Sequence, residues 1–500
     1  MSEQWPGGLI TKTPVTPSGP FEVSTASGVW TLEEAYQWQG DGLWPTAGNA
    51  LAYYSAFGIL SGQNFQAFGI AADSSSNIYL AGFLSGTSAT YPDDDIIFAS
   101  KWPSDGTAPT WQRAAQNTSL NAATVKAGVV IDSTGDVIVA GGGYDASDDF
   151  SIILKWDTDG VFQWGRNFGD STGRHATCAG IGIDSNDNIY LWTDSTTSGY
   201  AEIVKWNSAG AIQFQQSATT VGASVGAHLS AANGNLVITS NDYIIPVGKT
   251  NSASGSGAIV GSVASITAAG VLDWSREMAG YLNGIEAVAA DSSNNIYLGA
   301  RAGTSPTNVP YIMKLNSSGV KQWARKIEGS ASGTIWSASY PRRMAVDSSD
   351  NVYLVSNGDV NNSASGGVNN EAVMVFKYNS SGVLQWSRYI QGSISHMGTQ
   401  SRITIDGSDM IISSYGQLQS PNYSMLFFKL PTDGSKTGSY TNPTYTGFTF
   451  YYGVLDVAES EDTATTVSSE DYALATTTIT EGATGMTSST STLAYDNDPL

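Results

Sequence analysis

The residue types that carry most enzyme chemistry are few in this chain of 500 residues. The three histidines, His175, His228 and His396, lie far apart and share no motif, and Cys178 is the only cysteine. A lone cysteine cannot form an internal disulfide, and a small buried thiol is its simplest interpretation. The sequence contains no H-E-x-x-H, phosphate-loop, G-x-S-x-G or C-x-x-C motif. These residues predict no catalytic group and no cofactor, so we expect a protein that is not an enzyme.

Carboxylates are the abundant reactive groups, with 44 Asp and Glu. Three acidic groupings stand out: Asp93–Asp95, Asp184–Asn188 and Asp456–Asp462. The second resembles the start of a calcium-binding EF-hand loop, but Ile189 stands where that loop needs glycine, and the required distant glutamate is absent. A turn stabilised by its own Asp side chain explains the pattern better. The first and third are best interpreted as solvated acidic segments, so no metal site is predicted. A glycosidase needs only two carboxylates a few ångströms apart, and the sequence leaves that alternative open.

The elements that must position any site repeat along the chain, and residues 129–166 are the clearest copy. A turn residue recurs at intervals of 59, 52, 49, 58, 56 and 59 residues: Asp73, Asp132, Asp184, Asn233, Asp291, Asp347 and Asp406. Most copies also carry a Lys before a large apolar residue, and five carry Trp-x-Arg: Trp111/Arg113, Trp164/Arg166, Trp274/Arg276, Trp323/Arg325 and Trp386/Arg388. Apolar runs between Asp, Gly and Ser clusters predict four short strands per unit. Seven such units predict an all-β, seven-bladed β-propeller of four-stranded blades.

The repeated residues also restrict the class of partner. Because side chains alternate along a strand, the Trp and Arg of each Trp-x-Arg share a face, and their recurrence favours packing between blades over a stacking platform for sugars or bases. Six repeated lysines and five repeated arginines make up eleven of the 22 Lys and Arg. With a net charge of −22, the chain is predicted not to bind nucleic acid. No apolar run is long enough for insertion into a membrane.

The pattern D-x-x-x-N-I-Y-L … K-W … D-G-x-x-x-W is similar to the repeat of a bacterial β-propeller family over about residues 60–440. It also weakly resembles the quinoprotein repeat. Both resemblances imply a propeller fold and leave the function open, because propellers host unrelated activities.

The sequence predicts three regions: an extended N-terminal arm over residues 1–50, the propeller over 51–440, and an acidic C-terminal arm over 441–500. In the first, Thr31 with Glu34 predicts the start of one short helix. The last is rich in Ser and Thr, with nine Asp and Glu and no Lys or Arg beyond Lys436, which is typical of a mobile tail or a segment that orders on a partner. Two segments are candidates for further strands: 51–54 for an extra strand, and 446–455 for a final strand that either closes the ring or pairs with a neighbour. Long inserted loops are predicted over 243–262 and 356–370.

The arm contains the string S-G-V-W-T-L-x-E-A … G-L-W-P over residues 27–45. It resembles N-terminal segments of virion structural proteins from tailed phages, particularly marine and cyanobacterial ones. That resemblance implies a docking role for six apolar and aromatic residues: Trp30, Leu32, Tyr36, Trp38, Leu43 and Trp44. A helix packed as a plug on the propeller is the alternative.

Together these features predict a phage virion structural protein on the outside of the particle, as a tail fibre, baseplate, neck or head-decoration component. Its expected partners are other virion proteins and a host-surface glycan or receptor, within a homo-oligomer or larger assembly. One alternative is a polysaccharide-acting enzyme on the same appendage. Another is a bacterial surface propeller, which the absence of an N-terminal signal peptide disfavours.

Overall fold

The computed structural model describes residues 3–5, 8–10, 53–57, 64–85, 96–106, 109–116, 121–144, 149–168, 176–195, 201–220, 235–251, 259–279, 282–303, 309–329, 336–361, 369–392, 400–419, 422–441, 449–455, 457–462, 466–469, 472–476, 481–483, 487–490 and 495–498. The chain divides into two compact units, Met1–Ala50 and Leu51–Leu500. In the first, strands β1 (Glu3–Trp5) and β2 (Gly8–Ile10) pair antiparallel. The predicted helix lies outside the described residues. No helix within the described ranges is long and apolar enough to cross a membrane.

The described strands of the second unit form the predicted seven-bladed propeller. Strand β3 (Tyr53–Phe57) precedes the first blade. The blades contain, in order, β4 (Asn64–Ala72), β5 (Ile78–Ser85), β6 (Ile96–Trp102) and β7 (Trp111–Gln116); β8 (Asn121–Ile131), β9 (Val137–Tyr144), β10 (Asp149–Trp156) and β11 (Phe162–Phe168); β12 (Ala176–Ile183), β13 (Ile189–Ser195), β14 (Ala201–Trp206) and β15 (Ile212–Thr220); β16 (Asn235–Ile238), β17 (Ile244–Asn251), β18 (Ile259–Ile266) and β19 (Leu272–Ala279); β20 (Leu282–Ala290), β21 (Ile296–Ala302), β22 (Val309–Leu315) and β23 (Lys321–Gly329); β24 (Trp336–Val346), β25 (Val352–Asn361), β26 (Asn369–Tyr378) and β27 (Leu384–Gly392); and β28 (Arg402–Asp406), β29 (Asp409–Gln419) and β30 (Asn422–Pro431).

The first strand of each blade contacts the first strands of its neighbours, so these strands surround the axis of the ring. Because the strands are antiparallel, the turns after the first and third strands lie at one face, here called the turn face. The connections after the second strand and between blades leave from the opposite face, here called the loop face. Aliphatic and aromatic side chains between adjacent blades form the core.

The repeated aspartate organises the first turn of its blade. Asp132 Oδ1 accepts hydrogen bonds from the backbone N–H groups of Thr134 (3.0 Å) and Asp136 (2.9 Å), and Lys155 Nζ lies 2.8 Å from Asp132 Oδ2. Burial alone would raise the pKa of Asp132, but the hydrogen bonds from Lys155 and Thr134 outweigh it and lower that pKa. Asp184 accepts the equivalent backbone bonds at 2.9 Å, which confirms the interpretation of 184–188 as a turn.

The Trp-x-Arg residues join adjacent blades, as predicted. In the first blade Trp111 Nε1 donates to the carbonyl of Thr158 (3.0 Å), and Arg113 Nε donates to the carbonyl of Gly160; both acceptors lie in the second blade. The Arg113 guanidinium lies 5.6 Å from the centre of the Trp111 ring. The same arrangement recurs at the other four Trp-x-Arg sites, where Arg Nε donates to Gly210, Gly319, Gly382 and Gly434.

We expect Gly382→Ala to destabilise the propeller more than Gly407→Ala. Both glycines have positive φ (78° and 58°), where an L-residue costs ~1–2 kcal/mol. A Cβ at Gly382 would lie 2.6 Å from Trp323 Cδ2, whereas nothing lies within 4 Å of one at Gly407. Overpacking at Gly382 adds ~1–3 kcal/mol. Urea unfolding of both variants measures the difference, and equal losses would show that the contact with Trp323 contributes nothing.

The fourth and sixth blades correct two expectations. Residues 235–238 form the first strand of the fourth blade, not its second, and Thr239 takes the place of the turn aspartate: its hydroxyl accepts from the backbone N–H of Tyr243 (2.9 Å). Thr239 lies 55 residues after Asp184 and 52 before Asp291, so the repeat is more regular than Asn233 suggested. The predicted loops are mainly strands, since β17 and β18 occupy most of 243–262 and β25 pairs with β26 as far as Asn361↔Asn369.

The N-terminal strand closes the ring. Strand β3 pairs with β30 from Tyr53↔Lys429 to Phe57↔Met425 and so forms the fourth strand of the last blade. The first of the two candidate segments therefore supplies the closing strand, although it is centred a few residues later than predicted.

The C-terminal segment adds a further outer strand to all seven blades, in reverse order around the ring. After β31 (Gly438–Thr441), these strands, here called the belt, are β32 (Thr449–Val454), β33 (Val457–Glu461), β34 (Thr466–Ser469), β35 (Tyr472–Thr476), β36 (Glu481–Ala483), β37 (Thr487–Thr490) and β38 (Tyr495–Asp498). They pair with β27, β23, β19, β15, β11, β7 and β3 respectively. The composition predicts a mobile tail, but every blade presents an edge of unpaired backbone groups, and this segment satisfies them.

Side chains anchor the start of the belt. Leu455 is buried, and its backbone N–H donates to the carbonyl of Ser387 (3.2 Å). The hydroxyl of Tyr311, in the core of the fifth blade, donates to Asp462 Oδ2 (2.8 Å). Glu459 and Glu461 are exposed whereas Asp462 is buried, so only part of this acidic run is in contact with solvent.

Candidate functional site

One position on the first strands differs sharply between blades. It lies four residues before each turn residue and is occupied by Gly69, Gly128, Gly180, Asn235, Ala287, Arg343 and Arg402. A Cβ at Gly69 would lie 2.6 Å from the backbone nitrogen of Val129, and one at Gly180 would lie 2.7 Å from that of Leu236. The glycines thus allow neighbouring inner strands to approach closely, while the sixth and seventh blades carry arginines at the same level.

Five of these residues, Gly69, Gly128, Asn235, Arg343 and Arg402, line a cavity of about 110 Å³ among the inner strands, here called the central cavity. Its polar side chains are those of Asn235, Arg343 and Arg402, and the remaining wall consists of glycine and of aliphatic and aromatic residues. None of the lining residues is acidic. The central cavity therefore carries two positive charges in a protein whose net charge is −22.

Backbone contacts hold Arg402 and Asn235 in place and leave donors for the cavity. Arg402 Nε donates to the carbonyl of Phe68 (3.0 Å) and Nη1 donates to that of Ser401 (3.1 Å), which leaves Nη2 as the remaining amino group. Asn235 Oδ1 accepts from the backbone N–H of Leu236 (2.8 Å), which leaves its Nδ2 amide. The cavity thus presents hydrogen-bond donors and cations, the groups that bind an anion.

The electrostatic surroundings of the two arginines disfavour their charged forms. Burial lowers the pKa of Arg402 well below its usual value, and the nearby positive charges of Arg343 and Arg342 lower it further. Burial also lowers the pKa of Arg343, to about 10, so this guanidinium remains charged at neutral pH. Arg343 is surrounded by protein, and its accessible surface borders the cavity, where water or a ligand can reach it. A bound anion would offset both the desolvation and the repulsion.

A second charged group lies on the loop-face side of this cavity. Glu286 is buried, and its Oε1 lies 2.6 Å from Arg301 Nε. Two guanidinium groups lie over the ring of Tyr340, that of Arg301 4.8 Å and that of Arg342 5.2 Å from its centre. Guanidinium groups stacked on an aromatic face are held in a fixed orientation.

A chain of hydrogen bonds joins this group to the cavity. Arg342 Nε donates to Asn357 Oδ1 (3.2 Å), and Asn357 Nδ2 donates to Ser401 Oγ (2.9 Å). Ser401 immediately precedes Arg402, and its hydroxyl donates to Ser414 Oγ (3.1 Å). Polar contacts within the protein, rather than solvent, therefore position the side chains of the cavity and those of the charged group on its loop-face side.

Most of the candidate site residues singled out in the sequence lie outside the described part of the chain. The six docking residues Trp30, Leu32, Tyr36, Trp38, Leu43 and Trp44 lie outside the described residues, as do the three histidines and 93–95. Cys178 is buried, and burial raises the pKa of its thiol well above the usual value. The structure brings together Arg343 and Arg402, which sequence reasoning missed. Their signal was an arginine at a position where three blades have glycine.

Around the central cavity, the described residues do not include the pair of neighbouring carboxylates that would indicate a glycosidase. Glu286 is the acid found there, and its nearest charged neighbour is Arg301, not a second carboxylate. Among the described residues no group of three or more His, Cys, Asp or Glu could hold a metal ion. The described lining of the central cavity carries cationic and hydrogen-bond-donating side chains and no acidic one.

No family model matches this chain, and no curated protein matches it. Similar solved structures include the polysaccharide lyase Uly1 (7% identity, TM-score 0.43, covering 73% of this chain and 90% of that one). Another is an ulvan lyase of polysaccharide lyase family PL25 (10% identity, TM-score 0.43, covering 76% and 96%). A third is the first two extracellular domains of Drosophila semaphorin 1b (8% identity, TM-score 0.34, covering 79% and 94%).

The expectation that the protein is not an enzyme is corrected: it rested on the absence of short catalytic motifs, and two of the similar structures are described as polysaccharide lyases. The physical reason for the error is that a propeller assembles a site from single residues on different blades. Such residues lie tens of positions apart in the chain, so the absence of a short catalytic motif does not exclude chemistry. The assignment to a phage virion stays a prediction, and what is established is the fold: an all-β, seven-bladed propeller.

Proposed function

We propose that the protein acts on an anionic polysaccharide and binds a carboxylate or sulfate group of that polymer between Arg343 and Arg402. One observation carries this proposal: a buried arginine, Arg402, and a half-buried one, Arg343, line one central cavity whose lining contains no acidic residue. A guanidinium group matches the planar carboxylate and the oxygen atoms of sulfate, and its hydrogen bonds to such groups are stronger where water is excluded.

Among the described residues, the distribution of charge favours an anion in the central cavity. The segment beyond Lys436 carries nine Asp and Glu and no Lys or Arg, and its belt strands lie at the outer edges of the blades. Many of the remaining lysines and arginines are bound to carbonyls and carboxylates between blades. A phosphate-rich nucleic acid would meet a negative exterior, whereas one acidic group on a sugar can enter a positive cavity.

The same arginines suit an elimination reaction on a uronate. When a base removes the proton next to the carboxylate, negative charge builds up on the carboxylate oxygens before the glycosidic bond breaks. Two fixed cations at that carboxylate would stabilise the charge as it develops. Sulfate, whose charge does not change in such a step, would use the site for binding alone.

The test is binding and cleavage of matched oligosaccharides. We expect oligouronates or sulfated oligosaccharides to bind in calorimetry, neutral ones of equal length not to bind, and Arg343→Gln to weaken binding roughly ten- to one-hundred-fold. Lys436→Gln removes one positive charge on the turn face and serves as the control. Cleavage is followed by chain length and by the ultraviolet absorbance of unsaturated uronates. Equal binding of neutral chains, or wild-type binding by folded Arg343→Gln, would refute the proposal.

A second proposal concerns residues 1–50, the first of the two compact units of the chain. The resemblance of residues 27–45 to phage virion proteins supports a docking role for this unit on a virion exterior. A chain lacking residues 1–50 should remain folded but fail to join the particle. Normal assembly of that chain would exclude the docking role.

A further inference from the structure

The buried carboxylate of Glu286 is incompletely satisfied. Its Oε1 contacts Arg301, but its Oε2 is buried without a hydrogen-bond partner. Leaving a buried charged oxygen unpaired is costly. Glu286 lies five residues before the turn residue of the fifth blade, the position that Arg342 occupies in the sixth blade. The carboxylate therefore stands among the inner strands, beside the central cavity, and not in an ordinary surface ion pair.

The charges that act most strongly on Glu286 are all positive. Arg301 comes from the second strand of its own blade, Arg342 from the first strand of the sixth blade, and Lys249 from the second strand of the fourth. The guanidinium groups of Arg301 and Arg342 both lie over the ring of Tyr340, and the titratable group that acts on Arg342 from the seventh blade is the phenol of Tyr415, which is neutral at neutral pH. Three cations around one carboxylate leave an excess of two positive charges.

We propose that Arg301, Arg342 and Lys249 form a second anion subsite beside the Arg343–Arg402 cavity. In the free protein, the carboxylate of Glu286 occupies the position that a second acidic group of the ligand takes when it binds. This inference rests on the proposed function and specifies its ligand: an oligosaccharide with at least two acidic groups, approaching from the loop-face side. Arg342 and Arg343 are consecutive residues, and the positive charge of Arg342 acts on Arg402, so the two subsites are adjacent. Glu286 then weakens binding in the free protein by competing for Arg301.

Two isosteric substitutions test the subsite with opposite expected signs. Glu286→Gln removes the competing charge and keeps the shape, so we expect it to tighten binding of a disulfated oligosaccharide roughly three- to ten-fold. Arg342→Gln should weaken the same binding roughly ten-fold. A merely structural role would make both variants bind more weakly. Weaker or unchanged binding by Glu286→Gln, in a variant that melts like the wild type, would overturn the inference.

The pH dependence of the unaltered protein provides an independent test. Burial raises the pKa of Glu286 above its usual value, despite the opposing effect of Arg301, Arg342 and Lys249. As the pH falls through that raised pKa, Glu286 loses its negative charge and the subsite gains one net positive charge. A sulfate ester keeps its own charge over this range, so binding of the disulfated probe should tighten toward acidic pH. Glu286→Gln should remove this dependence, and a flat wild-type profile would overturn the inference.

Inorganic sulfate separates this inference from the proposed function. The single ion probes the cavity alone, and its stabilisation of the protein against heat should depend on Arg343 and little on Glu286. If sulfate and monosulfated sugars bind through Arg343 but a second sulfate group adds no affinity, the second subsite is refuted and the first stands. If Arg343→Gln changes neither, the proposed function itself fails.

Discussion

A chain that ends at residue 448, and so lacks the whole belt, is expected to lose the stable monomeric fold. Among the removed residues are three almost fully buried ones, Phe450, Tyr452 and Leu455. At ~1.5–3 kcal/mol each, their burial contributes about 5–9 kcal/mol, which is comparable to the net stability of many proteins. The truncation also leaves an unpaired outer edge on each blade, and such edges pair with other chains. Size-exclusion chromatography should show aggregates instead of a monomer.

A chain that ends at residue 463 is the matched control. It keeps β32, β33 and the hydrogen bond from Tyr311 to Asp462, but lacks β34–β38. We expect this chain to fold, with a lower urea midpoint and more self-association than the full chain, because five outer edges are open. If the chain ending at 448 is as stable and as monomeric as the full chain, the belt does not stabilise the propeller.

Removal of residues 1–60 is expected to open the ring, whereas removal of residues 1–50 is not. The longer deletion takes β3, which pairs with β30 on one side and β38 on the other. The last blade then has three strands, and β38 loses its partner. At a net ~0.5–1.5 kcal/mol for each backbone hydrogen bond, the loss amounts to several kcal/mol, and it falls at the joint between the first and last blades.

The shorter deletion keeps β3 and removes only the separate first unit. Its thermal unfolding should match that of the full chain, while the chain lacking residues 1–60 should unfold at a clearly lower temperature and expose its core to hydrogen exchange. Equal stability of the two deletions would show that β3 does not close the ring. Instability of the shorter one would favour the alternative in which the N-terminal segment packs as a plug.

The sequence by itself determined the features that are local and repeated. The turn aspartate, the lysine of the third strand and the Trp-x-Arg of the fourth recur because each copy must satisfy the same turn and the same neighbouring blade. Strand periodicity and turn chemistry act over a few residues, so they can be recognised without the fold. Where the copy is degenerate, as at Thr239, the prediction placed the turn residue at Asn233 instead, and so took the first strand of that blade for its second.

Only the tertiary structure decided two features: the pairing of the belt with the outer edges of the blades, and the meeting of side chains that the closed ring brings together. The Ser/Thr-rich segment beyond residue 455 has few large apolar residues, and it forms β33–β38 because the blades offer it unpaired edges. Arg343 and Arg402 lie 59 residues apart in the chain and meet because their blades are neighbours around the axis. Glu286, Arg301 and Arg342 likewise come from three strands. Such convergence follows from closing the ring, a long-range event: the repeat gives these residues equivalent positions, but it does not tell which of those positions meet in one cavity.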